Sequence, residues 1–216
     1  MIRKGHVELG IGLHQPQAQF DKYVDGGICI RALTSVNVLP LVNFDLGAQF
    51  LNFRSDSYQD NLTDDFHGYA GPTVEVTNSE QAAILLAGPR IMSPSKRAFI
   101  RPYVTLKGGM FFFNETIKWE ILLDNSDENP SQTSVIDLRA NLGWMLDIGS
   151  HFTIKNGAGI DVSLQYCIIP GLEKPAMNYD EDEDGNPMFE DVTFSQRIDA
   201  DYITIHIGLT MPYKNF

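Results

Sequence analysis

The residues Asp180-Glu-Asp182-Glu-Asp184-Gly185-Asn186, with Asp191 beyond them, have the spacing of a calcium loop. Asp180, Asp182 and Asp184 stand at positions one, three and five, and Gly185 supplies the turn at six. Asn186 offers its carbonyl at seven, and Asp191 stands at twelve, where a bidentate Glu is usual. Crowded carboxylates gain most from a divalent ion, so Ca²⁺ is the cofactor this motif implies. No helical pattern flanks it, and the competing reading is an acidic, solvated loop tip. A second constellation is Ser163, His206 and Asp161, a nucleophile, a base and an orienting acid if their strands lie side by side. The bland alternative is a set of inward polar side chains in a hydrogen-bonded network, and that is the expectation here, as it is for His14 and Glu8. Cys29 and Cys167 form no CxxC pair. They are expected inside, near the end with the long connections, without a disulfide because their strands are not neighbours.

The elements that must position these residues are strands. Tyr202–Tyr213 alternates strictly, with Ile203, Ile205, Ile207, Leu209, Met211 and Tyr213 on one face and Thr204, His206, Gly208 and Thr210 among those on the other. The first strand, Val7–Leu13, sets Val7, Leu9, Ile11 and Leu13 against Glu8, Gly10 and Gly12. A second is expected over Gly27–Leu33, and a third places Phe44, Leu46, Ala48 and Phe50 against Asp45, Gly47 and Gln49. The fourth, Gln81–Gly88, is apolar on both faces, which leaves its register open. A fifth runs over Phe99–Phe112, and a sixth alternates from Ile136 to Ile148 with Asp137, Arg139 and Asp147 on its polar face. The seventh sets Ile160, Val162, Leu164, Tyr166 and Ile168 against Asp161, Ser163, Gln165 and Cys167. No comparable helical period occurs, so the chain is all-β.

Connections after the second, fourth and sixth strands are short. The stretches 54–80, 113–133 and 169–200 are polar, acidic and expected as long loops. That alternation is the layout of an eight-stranded antiparallel up-and-down transmembrane β-barrel, with short periplasmic turns and long external loops. The first and last strands then pair, so the sheet closes without an edge. The faces agree with an inverted barrel. The polar face is rich in glycine, which suits a crowded interior, and its acids nearly balance its bases. The apolar face carries no charge in the most regular strands, and Phe50, Phe99, Phe112, Tyr166 and Tyr213 fall near strand ends, where aromatic girdles belong. A soluble sandwich is the competing all-β reading.

A net charge of −12 over 216 residues and a pI near 4.7 argue against a nucleic-acid partner, which would require a basic stripe. No apolar run approaches the roughly 20 residues of a membrane helix. The whole of 1–216 reads as one domain. The start, Met-Ile-Arg-Lys-Gly, is followed by no apolar segment, so no export signal is read there and an exported chain would be a mature form.

Three places carry a family resemblance. Glu8-Leu-Gly-Ile-Gly-Leu13 leads through Gln15–Asp25 to Gly26-Gly27-Ile-Cys-Ile; Arg101-Pro102-Tyr103-Val104 precedes Gly108-Gly109; and His206, Gly208, Met211 and Tyr213 fit a C-terminal insertion signal, with Met211-Pro212 departing from its usual form. On these the chain resembles the small outer-membrane β-barrels, the porin family or OmpA/OmpX-like proteins, particularly those of Bacteroidetes-type bacteria. The resemblance implies the outer membrane of a Gram-negative cell. It implies as partners outer-membrane lipid and lipopolysaccharide, the barrel-assembly machinery through the C-terminal strand, and other outer-membrane proteins. It implies no catalytic residues and no specific activity. A structural, adhesion or complex-subunit role is expected of such a barrel, with a narrow channel and an envelope hydrolase as the alternatives.

Overall fold

A computed structural model describes residues 4–63, 70–93, 98–122, 131–154, 158–176, 179–181, 187–189 and 193–214. Ten strands follow one another: β1 (Lys4–Gln17), β2 (Val24–Asn37), β3 (Val42–Thr63), β4 (Ala70–Met92), β5 (Ile100–Leu122), β6 (Ser131–Thr153), β7 (Gly159–Ala176), β8 (Tyr179–Glu181), β9 (Pro187–Phe189) and β10 (Thr193–Lys214). Eight of them close into an antiparallel barrel in the order β1-β10-β7-β6-β5-β4-β3-β2, and β8 and β9 form a separate hairpin. The last strand pairs with the first as expected, Leu9 opposite Leu209 and Ile11 opposite Ile207. The β1–β10 ladder closes the sheet so that no barrel strand is left as an edge, the condition for strands to cross lipid.

The faces are inverted relative to a soluble sandwich. Ile11, Leu142, Ile205 and Leu209 are between 59% and 70% exposed on the outer wall, whereas Glu8, Arg90, Asp161 and His206 are fully buried inside it. On β5 the outward side chains Ile100, Val104, Leu106 and Met110 give way to Asn114, Thr116 and Lys118. Ten residue steps at about 3.4 Å make about 34 Å of strand. At a tilt of about 45° that is a belt about 25 Å tall, the height of a bilayer's hydrocarbon. Ile207→Lys, on the lipid side of β10, is therefore expected to cost roughly 2–4 kcal/mol of membrane stability. Equal urea midpoints for variant and wild type in lipid vesicles would refute an outward-facing Ile207.

The structure corrects the three long loops. Strands β3 through β7 and β10 run on through most of 54–80 and 113–133 and through both ends of 169–200, so the wall rises beyond the apolar belt. Those segments resemble loops in sequence because their outward positions turn polar once they leave lipid, which removes the alternation while the ladder continues. The short-turn end is as expected, with Val38–Leu41 joining β2 to β3. The open register of β4 is settled by the wall: Ala82, Ile84, Leu86 and Arg90 point in, and Ala83, Leu85 and Ile91 point out.

The raised wall is not continuous. Pairing between β6 and β7 ends at Trp144 and Ile168, although both strands extend further. Pro170 has no N–H, and Gly171 takes a left-handed φ of +64° that a side chain would strain. The two sit where the β7–β10 register shifts between Ile198 and Ala200, so a bulge bends β7 from its neighbour. Gly171 N–H is held by Asp199 Oδ1 at 3.0 Å. Arg139 of β6 reaches across the gap and donates to the Glu173 carbonyl of β7.

Candidate functional site

The barrel interior is built in three layers. Toward the short-turn end, Glu8 (β1), Arg31 (β2), Asp45 (β3), Arg90 (β4), Lys107 (β5), Asp147 (β6) and Asp161 (β7) form one ionic cluster, with every barrel strand but β10 giving a charge. Arg31 bonds to Glu8 and lies 3.5 Å from Asp147 and 3.8 Å from Asp161. Arg90 Nε donates to Asp45 Oδ2 at 2.7 Å, its other nitrogens face Asp161 at 3.4 Å and Glu8 at 3.6 Å, and its guanidinium lies 4.2 Å above the Tyr103 ring. Lys107 Nζ donates to Asp147 at 2.6 Å, and Tyr103 hydroxyl donates to Asp161. Glycine makes the room: a Cβ on Gly208 would come within 2.8 Å of Glu8 Oε1.

Above this lies an apolar layer of Leu51, Phe53, Ile84, Leu86, Phe111, Phe113 and Met145, with Phe20 entering from the β1–β2 connection. Phe20 packs edge-on to Phe53 with centroids 5.1 Å apart, and Phe53 meets Tyr202 at 5.9 Å. The chain turns inward here because a short 3-10 turn over Phe20–Lys22 tucks its one apolar residue under the rim. Above the apolar layer comes a second ionic set. Lys174 Nζ lies 2.6 Å from Glu80 Oε2 and 2.8 Å from Glu115 Oε1, Arg139 bonds to Glu115, and Asn78 Nδ2 donates to Glu115 Oε1 at 2.7 Å.

The hydrolase constellation does not assemble. His206 and Ser163 are direct cross-strand partners and both point inward, as their spacing implied. Yet Ser163 Oγ and both ring nitrogens of His206 have no hydrogen-bond partner among the described residues, while Asp161 is engaged by Tyr103 and Arg90. The three therefore form no nucleophile–base–acid relay, and the expected hydrogen-bonded network is only partly made. His14 is buried edge-on to Phe53, and Glu8 belongs to the lower ionic cluster. Cys29 and Cys167 are free, buried and part of the apolar layer, on strands separated by β1 and β10.

Of the calcium-loop residues, Asp180 lies on β8 opposite Met188 of β9. Asp182, Asp184, Asn186 and Asp191 lie outside the described residues. The alternation does not reveal Arg90, Glu80, Glu115 and Lys174 as interior residues, because all four fall in stretches that the sequence presents as connections. Continuing the alternation Leu86, Gly88, Arg90 past Pro89 would have found the first of them.

No family model matches the chain, and no curated protein is similar to it in sequence. Among solved structures it is similar to Neisserial surface protein A, with a TM-score of 0.52 at 9% identity over 96% of each chain. It is also similar to a major outer membrane protein from Thermus thermophilus, with a TM-score of 0.52 at 15% identity over 98% of this chain and 99% of that one. The fold is that of the small outer-membrane β-barrels. With its lipid-height belt and ionic interior, the chain is an integral barrel of the bacterial outer-membrane type.

Proposed function

We propose that this protein is a closed outer-membrane barrel that works from its external surface as a structural, adhesion or complex-subunit protein, not as a channel or an enzyme. The observation that supports this is the layered interior: two ionic clusters with a buried aromatic and aliphatic layer between them, in the lumen of an eight-stranded wall. Such a layer opposes the passage of ions by excluding water. Reconstituted in planar bilayers, the wild-type barrel is expected to give no steady conductance, and sizeable steady steps would overturn the closed reading. The C-terminal strand β10, as the closing strand of the sheet, is the segment for the barrel-assembly machinery to recognise.

In this reading the acidic external connections meet lipopolysaccharide or neighbouring proteins through divalent cations, since two anionic surfaces attract only across a shared cation. Asp180, Asp182, Asp184, Asn186 and Asp191 are the residues to hold Ca²⁺ there, between the ends of the β8–β9 hairpin and beyond it. Calorimetric titration with CaCl₂ is expected to show binding that disappears in Asp182→Ala/Asp184→Ala. Identical heats for both proteins would end this part of the proposal.

A further inference from the structure

At the external edge of the apolar belt three neighbouring strands change character together. The outward residue passes from Leu13 to Gln15 on β1, from Ile28 to Asp25 on β2, and from Phe50 through Asn52 to Arg54 on β3. A polar pocket of about 290 Å³ opens there, with Gln15, Asp25 and Arg54 around its mouth, Leu13 at its lower lip and His14 in its lining. It lies at the height where lipid headgroups meet the belt.

The polar groups of this pocket are largely unspent. Asp25 and Arg54 are exposed register partners across β2 and β3, yet among the described residues neither forms an ion pair or a side-chain hydrogen bond. His14 is only 3% exposed, and neither of its ring nitrogens has a hydrogen-bond partner among the described residues. Its ring reaches the pocket because the wall there is glycine. Nε2 lies 3.0 Å from where a Cβ on Gly27 would stand, and a Cβ on Gly26 would come within 2.6 Å of Gln15 Oε1. The glycine pair occupies the register shift between Asp25 and Ile28, so a bulge in β2 opens the wall at this point. Whichever tautomer a neutral imidazole takes, one nitrogen donates and the other accepts, and a ring so buried ordinarily finds a partner.

We infer that this pocket holds the phosphoethanolamine headgroup of a lipid in the external leaflet. Its phosphate meets Arg54 and the His14 N–H, its ammonium meets Asp25, and its acyl chains run down over Leu13, Ile28 and Ile205, all exposed on the wall below. Charge complementarity selects this headgroup. A purely anionic headgroup would meet the Asp25 carboxylate as well as the Arg54 guanidinium, and a quaternary ammonium has no N–H to give Asp25, whereas a primary ammonium has three. The inference rests on the belt facing lipid, and it does not depend on whether the lumen is closed or the external loop binds calcium.

The delipidated barrel in detergent, titrated with phosphatidylethanolamine, phosphatidylglycerol or phosphatidylcholine and weighed by native mass spectrometry, tests this. One charged contact at a membrane surface is worth about fivefold, so the wild type is expected to retain phosphatidylethanolamine about fivefold over either of the others. Arg54→Gln should lower its retention of phosphatidylethanolamine by a similar factor. Asp25→Asn should do the same while raising retention of phosphatidylglycerol, a reversal that mere loss of structure would not produce. Both residues are exposed, so both variants should keep the circular dichroism of a folded barrel. Equal retention of the three lipids by the wild type, or an unchanged preference in either variant, would overturn the inference. Phosphoethanolamine without acyl chains should be held far more weakly than the lipid, and equal retention would assign the pocket to a soluble solute and refute the lipid. Lipopolysaccharide offered in EDTA, which removes any divalent bridge to the external loops, should be retained no better than phosphatidylglycerol. An Arg54-dependent preference for it would refute the role of the ammonium.

Discussion

Replacing Arg90 by methionine is expected to destabilise the barrel by about 3–5 kcal/mol, the usual consequence of removing one partner from a buried ionic set. Arg90 faces Asp45, Asp161 and Glu8 at once and is itself fully buried. Four carboxylates, Glu8, Asp45, Asp147 and Asp161, share three cations, Arg31, Arg90 and Lys107, in the lower cluster. Without Arg90 the same four share two, and the carboxylate of Asp45 is left with Lys107 at 3.9 Å as its nearest cation. A methionine fills much of the space but donates nothing. Urea unfolding in lipid vesicles, followed by tryptophan fluorescence, gives the free energy directly. Removing the acid as well, in Asp45→Asn/Arg90→Met, should recover part of the loss, because the amide no longer buries a charge. A loss below about 1 kcal/mol for Arg90→Met, or no recovery in the double variant, would show that the lower cluster is hydrated and not a desolvated network.

That Arg90 had to be found in the structure says where the sequence is legible. In the most regular strands of the belt outward residues are apolar and inward ones mostly polar or small, so Leu9, Leu46, Ile148 and Ile207 reveal wall, register and closure by alternation alone. The pairing of Ser163 with His206 follows from the same rule. Two situations defeat it. In β4 the inward Ala82, Ile84 and Leu86 belong to the apolar layer, so both faces of the strand are apolar and the period vanishes. Above the belt the outward Asn114, Thr116 and Lys118 match the polarity of the inward Glu115, and again no period remains although the ladder does. Glu80, Glu115, Arg139 and Lys174 assemble the upper cluster from four strands, a meeting set by strand tilt and by the β7 bulge at Pro170-Gly171, neither of which is written in local spacing.

The apolar layer that hides β4 is also, on the proposed reading, what keeps the lumen from conducting. Phe53 is on β3 and Phe111 is on β5, both essentially fully buried, with Phe20 completing the layer from the β1–β2 connection. Polar groups lie below them, including Ser163, Gln165 and His206, whose side-chain nitrogens and oxygens have no protein partner among the described residues, and such buried groups are ordinarily met by water. On the proposed closed reading, the barrier to an ion is the apolar stretch between the two ionic clusters, not the clusters themselves. Phe53→Ala/Phe111→Ala is expected to lose stability, each truncation costing about 3–5 kcal/mol on its own, and to turn a silent barrel into one with discrete conductance steps in planar bilayers. Phe53→Leu/Phe111→Leu keeps the layer apolar and nearly filled, and it should stay silent. If the alanine pair folds, as judged by its circular dichroism, and still passes no current, the block lies in the ionic clusters and the apolar layer is packing alone. If the leucine pair conducts as well, aromatic contacts and not dehydration hold the lumen shut.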